Sequence, residues 1–341
     1  MGASKDPLLR YNADFVRKCA VDGIRFDGRS ASALRELQLQ LIRGPDVAVA
    51  EVSVGDTKAV CRVGLSLVAP DAGRPAEGKI NVTVDVSATV EVEHRGVSLE
   101  LARICERTVR DISAVDKEAL CVVAGAWVWA VTCNVHVLAH DGNLDDACVL
   151  AALAALQHVR RPHVDVVQET DAAAQGDDGS RKLATHDGRV LIVRSPDAVE
   201  AYPLPMLRVP LCVTYALLAV DAPTDASVKK APKTKFDDED EVETESVAVL
   251  DPSLAEEAAA ASTVSFAFDA HSELCAVHKM GGEAVSPDAL LRCAKSAAVQ
   301  AKKLHARLKA ELAGADAAAK QARLETRRAA KRLKPAEPVV G

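Results

Sequence analysis

Between residues 35 and 68 the chain alternates: Leu37, Leu39 and Leu41, then Val47, Val49 and Val54, then Val60, Val63, Leu65 and Leu67 recur near a two-residue period. The period breaks at Arg43-Gly44-Pro45 and Gly55-Asp56, both turn-forming sequences. Successive side chains of a strand point to opposite faces, so this pattern predicts an antiparallel meander with one face turned to a core. Residues 80–93 (INVTVDVSATVEVE) are expected to continue it. With aromatics at only 3% of the chain, that core has to be built from Val, Leu and Ala.

The period then lengthens. From Ser98 to Ile112, Leu101, Ile104, Cys105, Val109 and Ile112 fall on one side, with Arg103, Arg107 and Arg110 on the other. This predicts an amphipathic helix with a basic stripe. Strand character returns over 126–139 (AWVWAVTCNVHVLA), followed by the break Asp141-Gly142-Asn143 and an apolar helix over 144–159. A second set of strands is expected over 163–168, 189–195, 207–220 and 263–280, the last two broken, before a long helix from about Pro287 to Lys334. Two strand-rich halves with helices between and after them predict an α+β fold, doubled β-rich sheets packed against helices. Two segments read as loops: Gln168–Gly179, and the basic-then-acidic stretch 221–246, which holds too little apolar surface to offset its ordering entropy.

Charge and cysteine usage narrow the function classes. A net charge of −7 is too acidic for a protein that coats nucleic acid by bulk charge, so any such contact has to be a local patch. No two of the nine cysteines stand two residues apart, as a zinc ribbon or a thioredoxin-like site requires, and they read as buried free thiols of a reducing, cytosolic or nuclear compartment. The N-terminus carries no apolar signal core, and no stretch reaches the ~18 apolar residues of a membrane span.

Gly73 to Lys79 matches most of a G-x4-G-K phosphate loop, but Ile80 offers no hydroxyl to a magnesium ion and a strand pattern follows where a helix is needed. His136 and His140 could share a strand face, yet no third metal ligand accompanies them, and a hydrogen-bonded structural pair is the better reading. Trp127 and Trp129 read as core rather than as a base-stacking platform. There is no G-x-S-x-G elbow. No cofactor and no metal are expected.

Several segments together resemble the RNase PH family: GIRFDGR (Gly23–Arg29), GDTKAVCRV (Gly55–Val63), RPAEGKINVTVDVS (Arg74–Ser87), GVSLELARICERTVR (Gly96–Arg110), HVLAHDGNLDDACVLAALAAL (His136–Leu156) and RRP (Arg160–Pro162). Within that family NADFVRKCAVDGIRFDGR, the DGNL-x-DA helix start, YPLPMLRVP (Tyr202–Pro210), DPSLAEE (Asp251–Glu257) and ELCAVHKMGG (Glu273–Gly282) are similar to the eukaryotic RNA exosome's ring subunits of the polymyositis/scleroderma autoantigen kind. The resemblance implies an RNase PH fold over 1–314, with halves of about 25–160 and 186–314, the acidic insertion 221–246, and a basic helical tail over 315–341.

The family reaction is phosphorolysis, the attack of inorganic phosphate on the last 3′,5′ linkage of RNA. By resemblance, active members carry Gly-Thr-Arg where this chain has Gly142, Asn143 and Leu144, and catalytic aspartates where it has Glu257 and Thr263. A leucine cannot neutralise an attacking phosphate and a threonine brings no carboxylate. The resemblance therefore implies a non-catalytic structural and RNA-path subunit, the alternative being an active phosphate-dependent 3′-to-5′ exoribonuclease. Its implied partners are RNase PH-like subunits, paired with it in a six-membered ring, then cap subunits, a docked hydrolytic nuclease and single-stranded RNA, in the nucleus, including the nucleolus, and in the cytoplasm. Arg103 and Arg107, joined by Arg95 and Arg110, lie where such subunits present cations to the RNA backbone; a solvated helix face is the plain alternative.

Overall fold

The computed structural model describes residues 7–87, 94–168, 180–186, 189–195, 199–219, 246–280 and 282–333. In chain order the elements are α1 (Pro7–Val21), β1 (Leu37–Arg43), β2 (Val47–Val54), β3 (Thr57–Val68), β4 (Lys79–Val86), α2 (His94–Glu106), β5 (Cys121–Val123), β6 (Trp127–Ala139) and α3 (Leu144–His158). There follow β7 (Arg160–Arg161), β8 (Val164–Gln168), β9 (Arg181–His186), β10 (Arg189–Val193), β11 (Tyr202–Pro203), β12 (Leu211–Ala219), β13 (Ser246–Leu250), α4 (Leu254–Ala259), β14 (Ser262–Phe268), β15 (Leu274–Met280) and α5 (Pro287–Leu333).

The alternating segment forms the meander β1-β2-β3, paired antiparallel throughout, and β3 pairs antiparallel with the long β6. Two details differ from the sequence expectation. β2 turns Ala48, Ala50, Val52 and Val54 inward, leaving Val47 and Val49 half-buried, because α3 lies across β2 and β3 and small side chains let it approach. β4 does not extend the meander; it runs parallel to β6 on the sheet's far edge, and the chain passes from β4 through α2 before it enters β6. Of the expected strand over 80–93, residues 88–93 lie outside the described residues.

Gly78 explains the near phosphate loop. A Cβ there would stand 2.4 Å from Leu120 Cβ and 2.8 Å from the Trp129 carbonyl oxygen, so the glycine serves backbone packing at the entry to β4. Trp129 is buried in the same core and Trp127 half-buried. His136 instead faces Asp85, 3.7 Å away, and His140 accepts the Gly142 N–H at 3.2 Å.

The second sheet has the order β13-β12-β14-β15, all antiparallel. α3 packs against β2 and β3 of the first sheet and β12 of the second. Its sequence, LDDACVLAALAALQH, is apolar nearly all round, as a helix enclosed on every side must be. On the second sheet's other face, α5 buries Cys293, Ala297 and Ala301 against Val213, Tyr215, Val264 and Phe266. α5 then crosses to the first sheet, where Leu308 joins the main core and Asp316 binds Arg43 and, at 2.6 Å, Arg160.

The N-terminal helix α1 is absent from the sequence expectation. It packs on α4 and buries Ala13 and Val16 against Leu218, Val249 and Ala259. The loop over Gln168–Gly179 lies outside the described residues from 169 on, and of the stretch 221–246 only Ser246 is described, as the first residue of β13.

Candidate functional site

The two halves meet at the N-terminus of α3. Gly142 has φ +87°, and a Cβ on it would lie 2.5 Å from the Pro252 oxygen, so only glycine lets the 141–143 turn reach the 251–254 segment of the other half. Asn143 follows at φ +54°, a left-handed conformation asparagine tolerates. Its side-chain amide donates to Asp251 Oδ1 at 2.7 Å and to Asp146 Oδ2 at 2.9 Å, and its backbone N–H donates to Glu257 Oε1 at 2.6 Å.

Asp251 is the node. Arg35 donates to its carboxylate at 2.8 Å and also to the carbonyls of Asp141, at 2.7 Å, and Gly142, at 3.1 Å. Arg29 reaches the same carboxylate at 3.2 Å. Burial pushes the Asp251 carboxyl up, but Arg35 and Asn143 outweigh it and hold its pKa below the ordinary value. Beneath this node Arg25 forms a two-bond pair with Glu256, at 2.8 and 2.6 Å, both side chains almost fully buried. Glu256 also accepts the Ser253 N–H at 2.8 Å, which starts α4.

The remaining acids have no such cation among the described residues. Asp145 accepts from Ser265 at 3.1 Å, and Asp146 from the Thr214 hydroxyl at 2.7 Å and its N–H at 3.1 Å. Burial pushes Glu257 up to about 8, Asp146 to about 7 and Asp145 to about 6, with the neighbouring carboxylates adding to each of the first two. Leu144 is buried in the main hydrophobic core. Thr263 is half-buried on β14, two residues before Ser265 and on the same strand face. Thus Asn143 is bonded to Glu257, Gly142 lies against the 252–254 backbone, Leu144 follows them with its side chain in the core, and Thr263 is related to them only through its strand.

The arginine stripe occupies another part of the surface. α2 begins at His94 and ends at Glu106, and a single π-turn over Arg107–Asp111 follows. The expected α-helix over 98–112 therefore changes its winding at Arg107, because Thr108 and Val109 are both buried in the turn and the Thr108 hydroxyl donates to the Ile104 carbonyl at 2.7 Å. Arg103 and Arg107 are exposed and have no carboxylate partner among the described residues. Arg110 is paired with Glu106 and, at 3.3 Å, Asp111. The Arg95 side chain lies outside the described residues.

Sequence reasoning missed His278. It is half-buried on β15, its Nε2 has no partner among the described residues, and burial together with the nearby Arg107 charge lowers its pKa. It also missed Arg35, the cation on which the α3 turn depends; its position six residues after GIRFDGR gave no periodic signal.

Two profiles described as 3′ exoribonuclease family, domains 1 and 2, match residues 35–162 and 235–300. The chain is 30% identical over 299 residues to the Arabidopsis thaliana exosome complex component RRP45A, covering 86% of this chain and 83% of that protein. It is 28% identical to exosome complex component rrp45 of Schizosaccharomyces pombe, covering 84% of each. It spans 58% of the longer Homo sapiens RRP45, at 27% identity. Among solved structures, a chain of the Archaeoglobus fulgidus exosome with RNA bound to the active site superposes with a TM-score of 0.64, at 24% identity, over 89% of this chain and 99% of that one. Rice Rrp46 does so with a TM-score of 0.53, at 15% identity, over 84% of this chain and 99% of that one. At those identities the likeness is one of fold.

Proposed function

Because the chain belongs to the RNase PH family and is a core subunit of the RNA exosome, we infer that it serves there without catalysis, as a structural subunit that lines the RNA path. The observation that carries the loss of catalysis is the acid cluster at the start of α3. Phosphorolysis needs a phosphate anion held by a cation and by available amides. Here Leu144 replaces the cation, the Asn143 amide is already taken by Glu257, and three buried carboxyls are displaced to about 6, 7 and 8. A site that cannot keep its own carboxyls ionised has no room for a further anion. Thr263 adds no acid for the leaving oxygen.

Arg103 and Arg107 support the RNA-path reading, because they are exposed cations on an otherwise acidic chain. Arg110 contributes less, its charge being largely offset by Glu106 and Asp111; Arg95 completes the expected set. Residues 1–314 form the RNase PH-like domain and 315–341 the basic tail. The subunit pairs with an RNase PH-like partner in a six-membered ring beneath cap subunits, passes single-stranded RNA to a docked hydrolytic nuclease, and works in nucleus, nucleolus and cytoplasm.

The test is direct. A ring containing this chain, incubated with RNA and inorganic phosphate, should release no nucleoside diphosphate attributable to it. Release that survives removal of contaminating nucleases and disappears on Glu257→Ala would instead establish the active phosphorolytic enzyme.

A further inference from the structure

The last third of α5 leaves the body of the molecule. Up to Asp316 the helix is held, by Ala297 and Ala301 in one core, Leu308 in the other and the Asp316 pairs with Arg43 and Arg160. Every side chain from Lys320 to Glu325 is exposed, and the backbone stays helical to Leu333. At 1.5 Å per residue, about 25 Å of helix projects. An extension this short survives because the packed part has already nucleated it and its alanines favour the helix.

Its charge is opposite to that of the rest. Residues 317–334 hold seven Lys and Arg against the single acid Glu325, leaving 35 of the chain's 42 Lys and Arg against 48 of its 49 Asp and Glu. Lys320, Arg323, Arg327 and Lys331 follow a spacing of 3, 4 and 4, which places helical neighbours of like charge one turn apart. Such pairs weaken a helix, so nothing in the fold favours them. A helix that docks on a protein groove or lies in a membrane surface needs an apolar stripe. Here the only large apolar residues are Leu324 and Leu333, nine residues apart, and the rest of the non-basic positions are mostly alanine. What remains is a rod of positive charge suited to a polyanion.

We propose that residues 320–333 form a second RNA-binding element outside the channel, a basic helix that grips the phosphate backbone of single-stranded RNA and reads no bases. The choice of RNA among polyanions rests on the RNA-path reading. The charge asymmetry and the lack of an apolar stripe are independent of it.

The experiment compares assembled rings carrying the full chain, the variant K320Q/R323Q/R327Q/K331Q, and the variant R103E/R107E, in binding to long oligouridine and oligoadenosine over a range of salt. Glutamine keeps the helix propensity while removing charge. If each lysine or arginine neutralises one phosphate, the tail variant lowers the log–log salt slope by about 3, and weakens binding roughly tenfold or more at low salt, equally for both homopolymers. Truncation after Ala319 should give the same loss with an unchanged melting temperature, since the described side chains it removes, those of residues 320–325, are all exposed. An unchanged slope and affinity in both tail variants overturns the proposal, and if R103E/R107E still lowers them the RNA-path reading stands. Loss in the tail variants alone upholds the tail element and sinks the path reading. Loss of a co-purifying protein with RNA affinity intact also overturns the proposal.

Discussion

A carboxyl buried beside other carboxyls keeps its proton, and this makes the α3 site a pH-sensitive part of the fold. Glu257, Asp146 and Asp145 have folded-state values of about 8, 7 and 6, all above their ordinary ones. Each therefore binds more protons folded than unfolded, and its contribution is full at acid pH and lost as pH rises toward 8. Asp251, held low by Arg35, acts in the opposite sense and loses its contribution only on strong acidification. His158, lowered to about 4 by burial and by Arg43, affects the range below its ordinary value, while the buried thiols, pushed up by burial, add to the fall only near the top of the window and equally in the variant compared below. The melting temperature should fall between about pH 6.5 and 8.5, and Glu257→Gln, which keeps an oxygen for the Asn143 amide, should recover on the order of 1–2 kcal/mol at the upper end. An equal slope in both proteins would refute the assignment. The same cluster predicts that Leu144→Arg with Thr263→Asp fails to restore phosphorolysis, since Glu257 still holds the Asn143 amide and the burial that keeps Glu257 protonated disfavours a phosphate anion equally; nucleoside diphosphates from this variant would show otherwise. Arg25→Met should cost about 3–5 kcal/mol in denaturant unfolding, because Glu256 is left buried without its cation, whereas Arg25→Met with Glu256→Leu should cost clearly less. Gly142, Asn143, Leu144 and Glu257 were legible through family resemblance. The Arg25, Arg29 and Arg35 bonds were not, because their partners stand more than two hundred residues away and no local pattern encodes such a pairing.

At the scale of elements, periodic segments were read well and pairings less so. The meander, the α3 helix and the long C-terminal helix follow from apolar spacing, since each buries one face or, for α3, all of it. The phase of β2 was misread because valine outweighs alanine in a hydrophobicity pattern, while close packing under α3 selects the alanines. The parallel pairing of β4 with β6 is invisible in a strand's own sequence, and α1 was missed because Arg10, Asn12, Asp14, Arg17 and Lys18 break up its apolar residues. α5 offers a test of what ends its packed part. Asp316 is its last anchor, and Asp316→Ala leaves Arg43 and Arg160 half-buried beside the neutral His158. Amide exchange should then quicken over residues 309–325 and stay unchanged over 289–301, with a loss of about 1–2 kcal/mol in stability. Uniform quickening along the helix would mean that α5 is held as one unit by its first half.

For the whole molecule, apolar surface is the quantity that a ring subunit has to leave uncovered. Phe15, Ile24 and Phe26 are each more than half exposed beside α1, with the Phe15 and Phe26 rings 5.6 Å apart, and Ile42, Leu207 and Leu291 are similarly exposed on three further segments. Single exposed leucines are ordinary; several aromatic and branched side chains on separate segments are what a monomer avoids and an assembled subunit covers. Obligate interfaces bury about 2,000 Å² or more and resemble a core cut in half, and a ring subunit has two lateral ones. The net charge of −7 gives some protection against self-association, but that repulsion is screened beyond about 8 Å at physiological salt. The isolated chain should thus self-associate with rising concentration, and more so with rising salt. Co-expression with an RNase PH-like partner should yield a stable 1:1 heterodimer in which amide exchange slows at the covered segments. Light scattering and native mass measurement decide the matter: a chain that stays monodisperse and monomeric at high concentration and high salt has no such faces to cover, and ring membership would then have to rest on polar contacts alone.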